Sequence, residues 1–342
     1  MYILVTGGAG FIGSNFIEYY LQQHPDVKIV NLDLLTYAAH LQNLESCNQS
    51  NKYSFVHGDI CDRDLVKHLF EHYNFEGVIH FAAESHVDNS IKNPSSFVTT
   101  NINGTFTLLS VAQQHWMKAP FKYKRNYEHC RFLHISTDEV YGTLGKTGYF
   151  TEQSPYAPNS PYSASKAASD FLVRSYYHTY GLNVVTTNCS NNYGPRQHDE
   201  KFIPTIIRKA ISFEPIPIYG TGLNIRDWLY VKEHCRAIDL VFNNGKVGET
   251  YLIGGSNEHS NMNIALLVCS ILDELLVDEL QHKEVTSFTE LIEFVNDREG
   301  HDFRYAIDAS KIKKELGWFP QGNFEVLLRE TILYYLDRYQ LK

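Results

Sequence analysis

Residues 136–142, "STDEVYG", end an apolar run on a hydroxyl and two adjacent carboxylates, Thr137, Asp138 and Glu139. Like charges at short range resist ionising together, so one of two neighbouring acids can stay protonated and donate while the other accepts. A second pair lies in "NSPYSASKAASDFLVRSYYHTYG", where Tyr162 and Lys166 are four residues apart. On a helix that spacing puts both on one face, and a nearby ammonium favours phenolate, drawing a tyrosine down from its reference pKa of about 10 toward the range of a working base. Ser160 reads as the N-cap of that helix, Pro161 as its first residue and Gly181 as its stop. A lone Tyr-x-x-x-Lys is common on surface helices, and paired acids are common in solvated turns. Their context decides.

That context opens with "VTGGAGFIGSNF", which has glycines at 7, 8, 10 and 13 between a strand-like run and a helix start. Backbone can approach a pyrophosphate only where side chains are missing, and the helix N-terminus offers free N–H groups to the anion. Asp33, twenty residues beyond Gly13 at the end of the next strand-like run, is placed to accept both ribose hydroxyls of an adenosine. Its carboxylate would repel a 2′-phosphate, and no Lys or Arg follows until Lys52, so the motif selects NAD over NADP. Asp59 and Ile60, after the third strand, would flank the adenine.

Short β-branched runs ("YILVT", "VKIVNLD", "YSFVHGD", "GVIHFAA", "RFLHIST") alternate with helical patterns through the first half. This predicts an α/β fold, a doubly wound parallel sheet of Rossmann type with helices on both faces. From about residue 191 Pro, Gly and Tyr become frequent, and helical patterns return at 264–280 and 323–340. The expected division is a dinucleotide-binding domain over 1–190, with parts of 225–260 returning to it, and a smaller, mainly substrate-binding lobe over 191–342. Ligands should sit outside the carboxyl ends of the strands, facing that lobe.

Composition excludes other classes. The 342 residues carry a net charge of −9 and no basic run, which argues against a nucleic-acid partner. Six cysteines without CxxC spacing fit free thiols in a reducing compartment, the cytoplasm, and sixteen histidines make no metal-like spacing. No signal peptide precedes the strand at residue 2, and the longest apolar stretch, near 264–272, is far short of a membrane span.

The fingerprint together with Tyr162 and Lys166 resembles the extended short-chain dehydrogenase/reductase family. "NLDLLTYA", "FAAESHVD", "STDEVYG", "PYSASKAASD", "NCSNNYGP", "IYGTGLNIRDWLYV" and "GGSNEHSN" are similar to the dTDP-glucose 4,6-dehydratases within it, from residue 2 to about 320. The resemblance implies NAD contacts at Gly7, Gly10, Phe11, Ile12, Gly13, Asp33, Leu34, Thr36, Asp59, Ile60, Ala82, Ala83, Ser85, Thr100, Tyr162, Lys166 and Asn192. It implies substrate contacts at Ser85, Thr137, Asn191, Lys201, Phe202, Pro217, Tyr219, Arg226, Asn261, Arg298 and His301, with Lys201, Arg226 and Arg298 as candidates for the phosphates. The catalytic set would be Thr137, Asp138, Glu139, Tyr162 and Lys166, with no metal.

The implied reaction is dehydration of dTDP-glucose to its 4-keto-6-deoxy product. Tyr162, helped by Thr137 and Lys166, would take the C4 hydroxyl proton during oxidation, Glu139 the C5 proton, and Asp138 would protonate the departing C6 hydroxyl. The sequence departs from the family at 196–199, at Phe202 and at Glu299, in loops that frame the nucleobase and phosphates. A UDP-glucose 4,6-dehydratase or another nucleotide-sugar dehydratase is an alternative, since a methyl on the base is worth only about 1 to 3 kcal/mol. A 4-epimerase would not need Asp138 and Glu139. A non-catalytic NAD-binding regulator would be expected to lack at least one of Asp138, Glu139, Tyr162 and Lys166. A homodimer pairing through the helix of Tyr162 and one over 95–115 is also implied.

Overall fold

In the computed structural model, which describes residues 1–48, 50–283 and 285–339, a seven-stranded sheet forms the body. Its spatial order is Thr250–Ile253, Val184–Cys189, Arg131–Thr137, Gly77–His80, Tyr2–Thr6, Lys28–Asp33 and Tyr53–His57. Every neighbouring pair is parallel. The doubly wound parallel fold read from the alternating runs is therefore present. Such strands are covered on both faces and so are largely apolar; residues 3–6 and 29–33 are all buried, the polar ones being Thr6, Asn31 and Asp33.

From Tyr2–Thr6 the chain winds outward to Tyr53–His57, then crosses back to Gly77–His80 on the other side of the first strand. The reversal opens a crevice above the carboxyl ends of Tyr2–Thr6 and Gly77–His80, the place where doubly wound sheets bind ligands. The glycine loop leaves one of these strands and Ala82 and Ala83 follow the other.

Past Cys189 the chain builds a second apolar core from the helices Phe202–Ile211, Asn261–Leu275 and Phe324–Arg338. Two small sheets edge it, one pairing Ile216–Tyr219 with Ile292–Val295, the other running Glu258–Ser260, Ile225–Tyr230, Asn191–Tyr193. The chain also returns to the first body. Val231–Asn244 packs its Cys235, Ile238 and Val241 into the core beneath the main sheet, and Thr250–Ile253 forms that sheet's edge. Ile312 and Trp318, in and after the helix Ser310–Leu316, reach the same core. That last return carries no strand-like run, so periodicity gives no sign of it. The helical pattern expected at 323–340 runs as Phe324–Arg338, and position 340 lies outside the described residues.

The helix expected over 95–115 is three pieces: Pro94–Phe97, a π-helical stretch Val98–Gly104, and Thr105–Trp116. Widened turns of this kind concentrate at functional sites. Here the widened turn carries Thr100 to the crevice and Asn101 inward, where its amide bonds both the N–H and the C=O of Glu84 and the Ser165 hydroxyl.

Candidate active site

A cavity of about 320 Å³ lies over the crevice. At one end the glycine loop meets the next strands at distances that admit no side chain. Gly7 sits at φ +70°, and a Cβ there would fall 2.5 Å from the Ala82 amide nitrogen. A Cβ on Gly13 would press on the Gly7 carbonyl and lie 2.8 Å from Gly8 Cα. Asp33 ends its strand with Oδ2 accepting from Ala9 N–H at 2.9 Å and Oδ1 from Leu35 N–H at 2.8 Å, which fixes the carboxylate against the loop. Burial pushes its pKa up, and those two N–H donors oppose the rise.

Gly7, Gly10, Phe11, Ile12, Gly13, Asp33, Leu34, Thr36, Asp59, Ile60, Ala82, Ala83, Ser85, Thr100 and Asn192 all line this cavity. A backbone cradle beside a helix start, with a carboxylate at the second strand's end, suits a dinucleotide pyrophosphate and its ribose, so these residues fit NAD.

At the other end stand the residues with acid–base chemistry. Thr137, Asp138, Glu139, Tyr162 and Lys166 line the same cavity. The strand Arg131–Thr137 delivers Thr137, which caps a short 3₁₀ turn, Asp138–Tyr141, by accepting the Glu139 N–H at 3.3 Å. Tyr162 and Lys166 come from Pro161–Tyr180, whose start carries the expected Ser160 cap, closed reciprocally by Ser163, with Gly181 past its end in the left-handed region.

The two carboxylates differ. Asp138 is buried, and that burial, then Glu139, then Asp227, hold its pKa well above the ordinary carboxylate value. Its Oδ1 accepts a 3.4 Å bond from the Thr137 hydroxyl, while its buried Oδ2 has no protein partner. Glu139 is raised by burial too, but Arg298, Arg226 and Lys201 pull the other way. Asp138 is thereby the harder of the two to ionise and Glu139 the easier.

Tyr162 departs from the sequence expectation. Lys166 Nζ donates to the Ile135 carbonyl at 2.7 Å, and burial, then the Glu139 carboxylate, push the phenol well above its usual range; the Thr137 hydroxyl is the opposing influence. Burial outweighs the ammonium that spacing alone brings near.

The expected substrate residues divide. Ser85, Thr137, Asn191 and Lys201 line the cavity, with Lys201 Nζ donating to the Ser85 carbonyl at 3.0 Å. Phe202, Pro217, Tyr219, Arg226, Asn261, Arg298 and His301 do not. Arg226 is buried, donating to the carbonyls of Ile225, Asp302 and Phe303 and lying 4.3 Å over the Tyr305 ring, so much of its fork is committed to protein. Tyr219 donates to Asp88 Oδ2 at 3.3 Å, with Arg298 3.6 Å from Asp88 Oδ1, and the His301 ring meets Asp297 at 2.6 Å. Phe202 stacks on Trp228, Pro217 sits on the strand Ile216–Tyr219, and Asn261 opens the helix Asn261–Leu275.

Glu84, Cys189, Gln197 and His198 also line the cavity without having been singled out. Gln197 and His198 belong to the atypical segment 196–199. There Arg196 binds Ser14 O at 3.2 Å and Glu18 at 2.7 Å on the fingerprint helix, and the His198 ring stacks on His40. Among the described residues there is no His/Cys/Asp/Glu group able to hold a metal ion.

Comparison with known proteins agrees with this geometry. Residues 4–331 match the family model described as GDP-mannose 4,6 dehydratase. The chain is 51% identical over 333 residues to a dTDP-glucose 4,6-dehydratase of Xanthomonas campestris pv. campestris, covering 97% of this chain and 92% of that protein. It is 49% identical to the dTDP-glucose 4,6-dehydratase of Salmonella typhimurium over 349 residues, 99% and 94% of the two chains. The solved dTDP-glucose 4,6-dehydratase of Streptomyces venezuelae, with NAD and TDP bound, superposes with a TM-score of 0.88 at 42% identity, covering 99% of this chain and 98% of that one. With the fingerprint, the tyrosine–lysine pair and the two acids around one cavity, this chain belongs to the GDP-mannose 4,6 dehydratase family and, within it, to the dTDP-glucose 4,6-dehydratases.

Proposed function

We propose that this chain converts dTDP-glucose to dTDP-4-keto-6-deoxyglucose and water. One observation carries the reading: Asp138 and Glu139 open into the same cavity as Tyr162, Lys166 and the glycine cradle. NAD held in that cradle supplies a hydride acceptor for C4 and a donor for C6. Tyr162 takes the C4 hydroxyl proton, with the Thr137 hydroxyl and the Lys166 charge one turn along the helix favouring its ionised form against the burial that raises the phenol. The C4 ketone makes the C5 proton acidic. Glu139 removes that proton, and Asp138, held protonated, gives its own to the departing C6 oxygen. A proton returned to C5 completes the cycle, with no net redox change.

Gly7, Gly10, Phe11, Ile12, Gly13, Asp33, Leu34, Thr36, Asp59, Ile60, Ala82, Ala83, Ser85, Thr100 and Asn192 are proposed to hold NAD with Tyr162 and Lys166. Ser85, Thr137, Asn191 and Lys201 are proposed to meet the sugar nucleotide inside the cavity, and Phe202, Pro217, Tyr219, Arg226, Asn261, Arg298 and His301 to frame its outer end. The test is to incubate purified protein with dTDP-glucose and with UDP-glucose separately and follow the 4-keto product. Faster product from dTDP-glucose is expected; product from UDP-glucose alone would overturn the nucleotide assignment.

Two coarser features belong to the same reading. Phe106 and Phe171 are 47% and 57% exposed on Thr105–Trp116 and Pro161–Tyr180, which supports a homodimer paired through those helices. Light scattering should give twice the chain mass; a stable monomer at micromolar concentration would contradict it. Among the described residues no helix is long and apolar enough to cross a membrane, and a cytoplasmic location is proposed from the unpaired cysteines.

A further inference from the structure

One ionisable side chain beside the catalytic helix face touches neither the cavity nor any group assigned so far. Asp170, one turn beyond Lys166 on Pro161–Tyr180, is only 4% exposed. Three donors converge on its Oδ2: the Ser136 hydroxyl at 2.9 Å, the Tyr156 hydroxyl at 2.9 Å and the Asn188 amide at 3.2 Å. Its Oδ1 faces His134 Nε2 at 3.1 Å. The same Asn188 amide donates to the Thr137 carbonyl at 3.0 Å. One carboxylate thus ties the catalytic helix to the strand end that presents Thr137 and Asp138.

The charges around it are sparse. Burial lowers the pKa of His134 and His80, from the two strands beneath, and the Lys166 charge acts in the same sense on both, while Asp170 opposes it at His134. Cys189, from the next strand, is pushed up to about 12, and burial also raises Tyr141, Tyr156 and Tyr162. Burial pushes Asp138 up as well. Lys166 is itself buried, which lowers its pKa, and Asp170 is the largest influence raising it again. Lys166 Nζ itself donates to the Ile135 carbonyl, and Asp170 stands one turn along the same helix, equally buried, so a fixed negative charge there offsets part of the cost of burying the ammonium.

We infer that Asp170 is a positioning residue of the reaction: its buried carboxylate is the fixed counter-charge of Lys166 and, through Asn188, the anchor of the strand end bearing Thr137 and Asp138. The inference rests on the role given to Lys166 above. Asp170→Asn keeps the shape but removes the charge. Without it the ammonium is lost at lower pH, so the rate of the oxidising half-reaction, followed in single turnover on the NAD-loaded protein, should begin its alkaline decline roughly one pH unit earlier. Tyr156→Phe removes one bond to the same oxygen without changing charge, and should lower stability while leaving that decline in place.

A urea-midpoint cycle reads the pair without any turnover. Lys166→Met should lower the midpoint by removing the buried positive charge one helical turn from Asp170, and adding Asp170→Asn should restore part of the loss. This cycle stays readable even if the parent protein fails to turn over dTDP-glucose, which separates failure of the pair from failure of the proposed function. An unshifted alkaline decline in Asp170→Asn, or midpoint losses that simply add, would overturn the inference. If Asp170→Asn alone does not fold, the double variant decides: recovery of folding supports the pair, and continued failure overturns it.

Discussion

The opposite duties proposed for Asp138 and Glu139 follow from what surrounds them rather than from residue type. Both are raised by burial and both feel Arg226, but Glu139 also has Arg298 and Lys201 pulling its pKa down, Arg298 most of all, whereas Glu139 and Asp227 push Asp138 further up. A base must be ionised, so activity falls as pH drops through the Glu139 pKa. Replacing Arg298 by Gln removes a charge that favours the ionised form, raises that pKa further, and should move the acid limb of kcat/KM upward by on the order of one pH unit. A pH profile of Arg298→Gln checks this, and an unmoved limb would detach Arg298 from the elimination chemistry. The five catalytic candidates and Asp33 were legible because their chemistry needs particular types at short spacing. Asp170 was not, though it stands within the quoted "PYSASKAASD": its meaning comes from Ser136, Tyr156 and Asn188, brought to it across 14 to 34 positions of sequence.

The elements that carry these residues are placed by close backbone approach as much as by apolar packing. The start of Phe11–Gln23 lies so near the preceding turn that Gly13 has no room for a methyl group. Gly13→Ala should therefore open the cradle. The variant is expected to purify with little bound NAD and to unfold at lower urea, which a cofactor assay and a urea titration measure together; full NAD occupancy would show that the turn can yield. Strand and helix periodicity made the parallel sheet readable. It could not show the π-helical turn Val98–Gly104, because one widened turn does not change the apolar pattern of the helices on either side.

At the scale of the whole molecule, two cores meet over one crevice, and residues between them are sealed from water. His234, on Val231–Asn244, is fully buried against Asn192 at 2.9 Å, and burial lowers its pKa from the ordinary value to about 3. In the unfolded chain it takes a proton below about pH 6.5. Its folded pKa is depressed, so the stability it contributes is complete above 6.5 and is lost as pH falls toward 3, by up to about 1.4 kcal/mol per pH unit. Asp33, Asp138, Glu139 and Asp227, all raised, act in the opposite sense, so a difference between parent and variant is needed. Between pH 6.5 and 4 the parent should lose more urea stability than His234→Gln; equal losses would contradict this. The return of Ser310–Leu316 to the first core was beyond a sequence reading, since contact across hundreds of positions leaves no local pattern.

The joining of redox and elimination chemistry in one cavity is tested most directly by stopping the cycle between them. In Asp138→Asn with Glu139→Gln the amides keep shape but can neither take the C5 proton nor supply one to the C6 oxygen, a loss typically worth about a hundred- to ten-thousandfold. In a single-turnover trace with dTDP-glucose, that double variant should accumulate absorbance of bound NADH while 4-keto-6-deoxy product forms very slowly, and Tyr162→Phe should show neither signal. Product from the double variant at the parent rate would reduce Asp138 and Glu139 to ordinary turn residues and contradict the dehydratase mechanism.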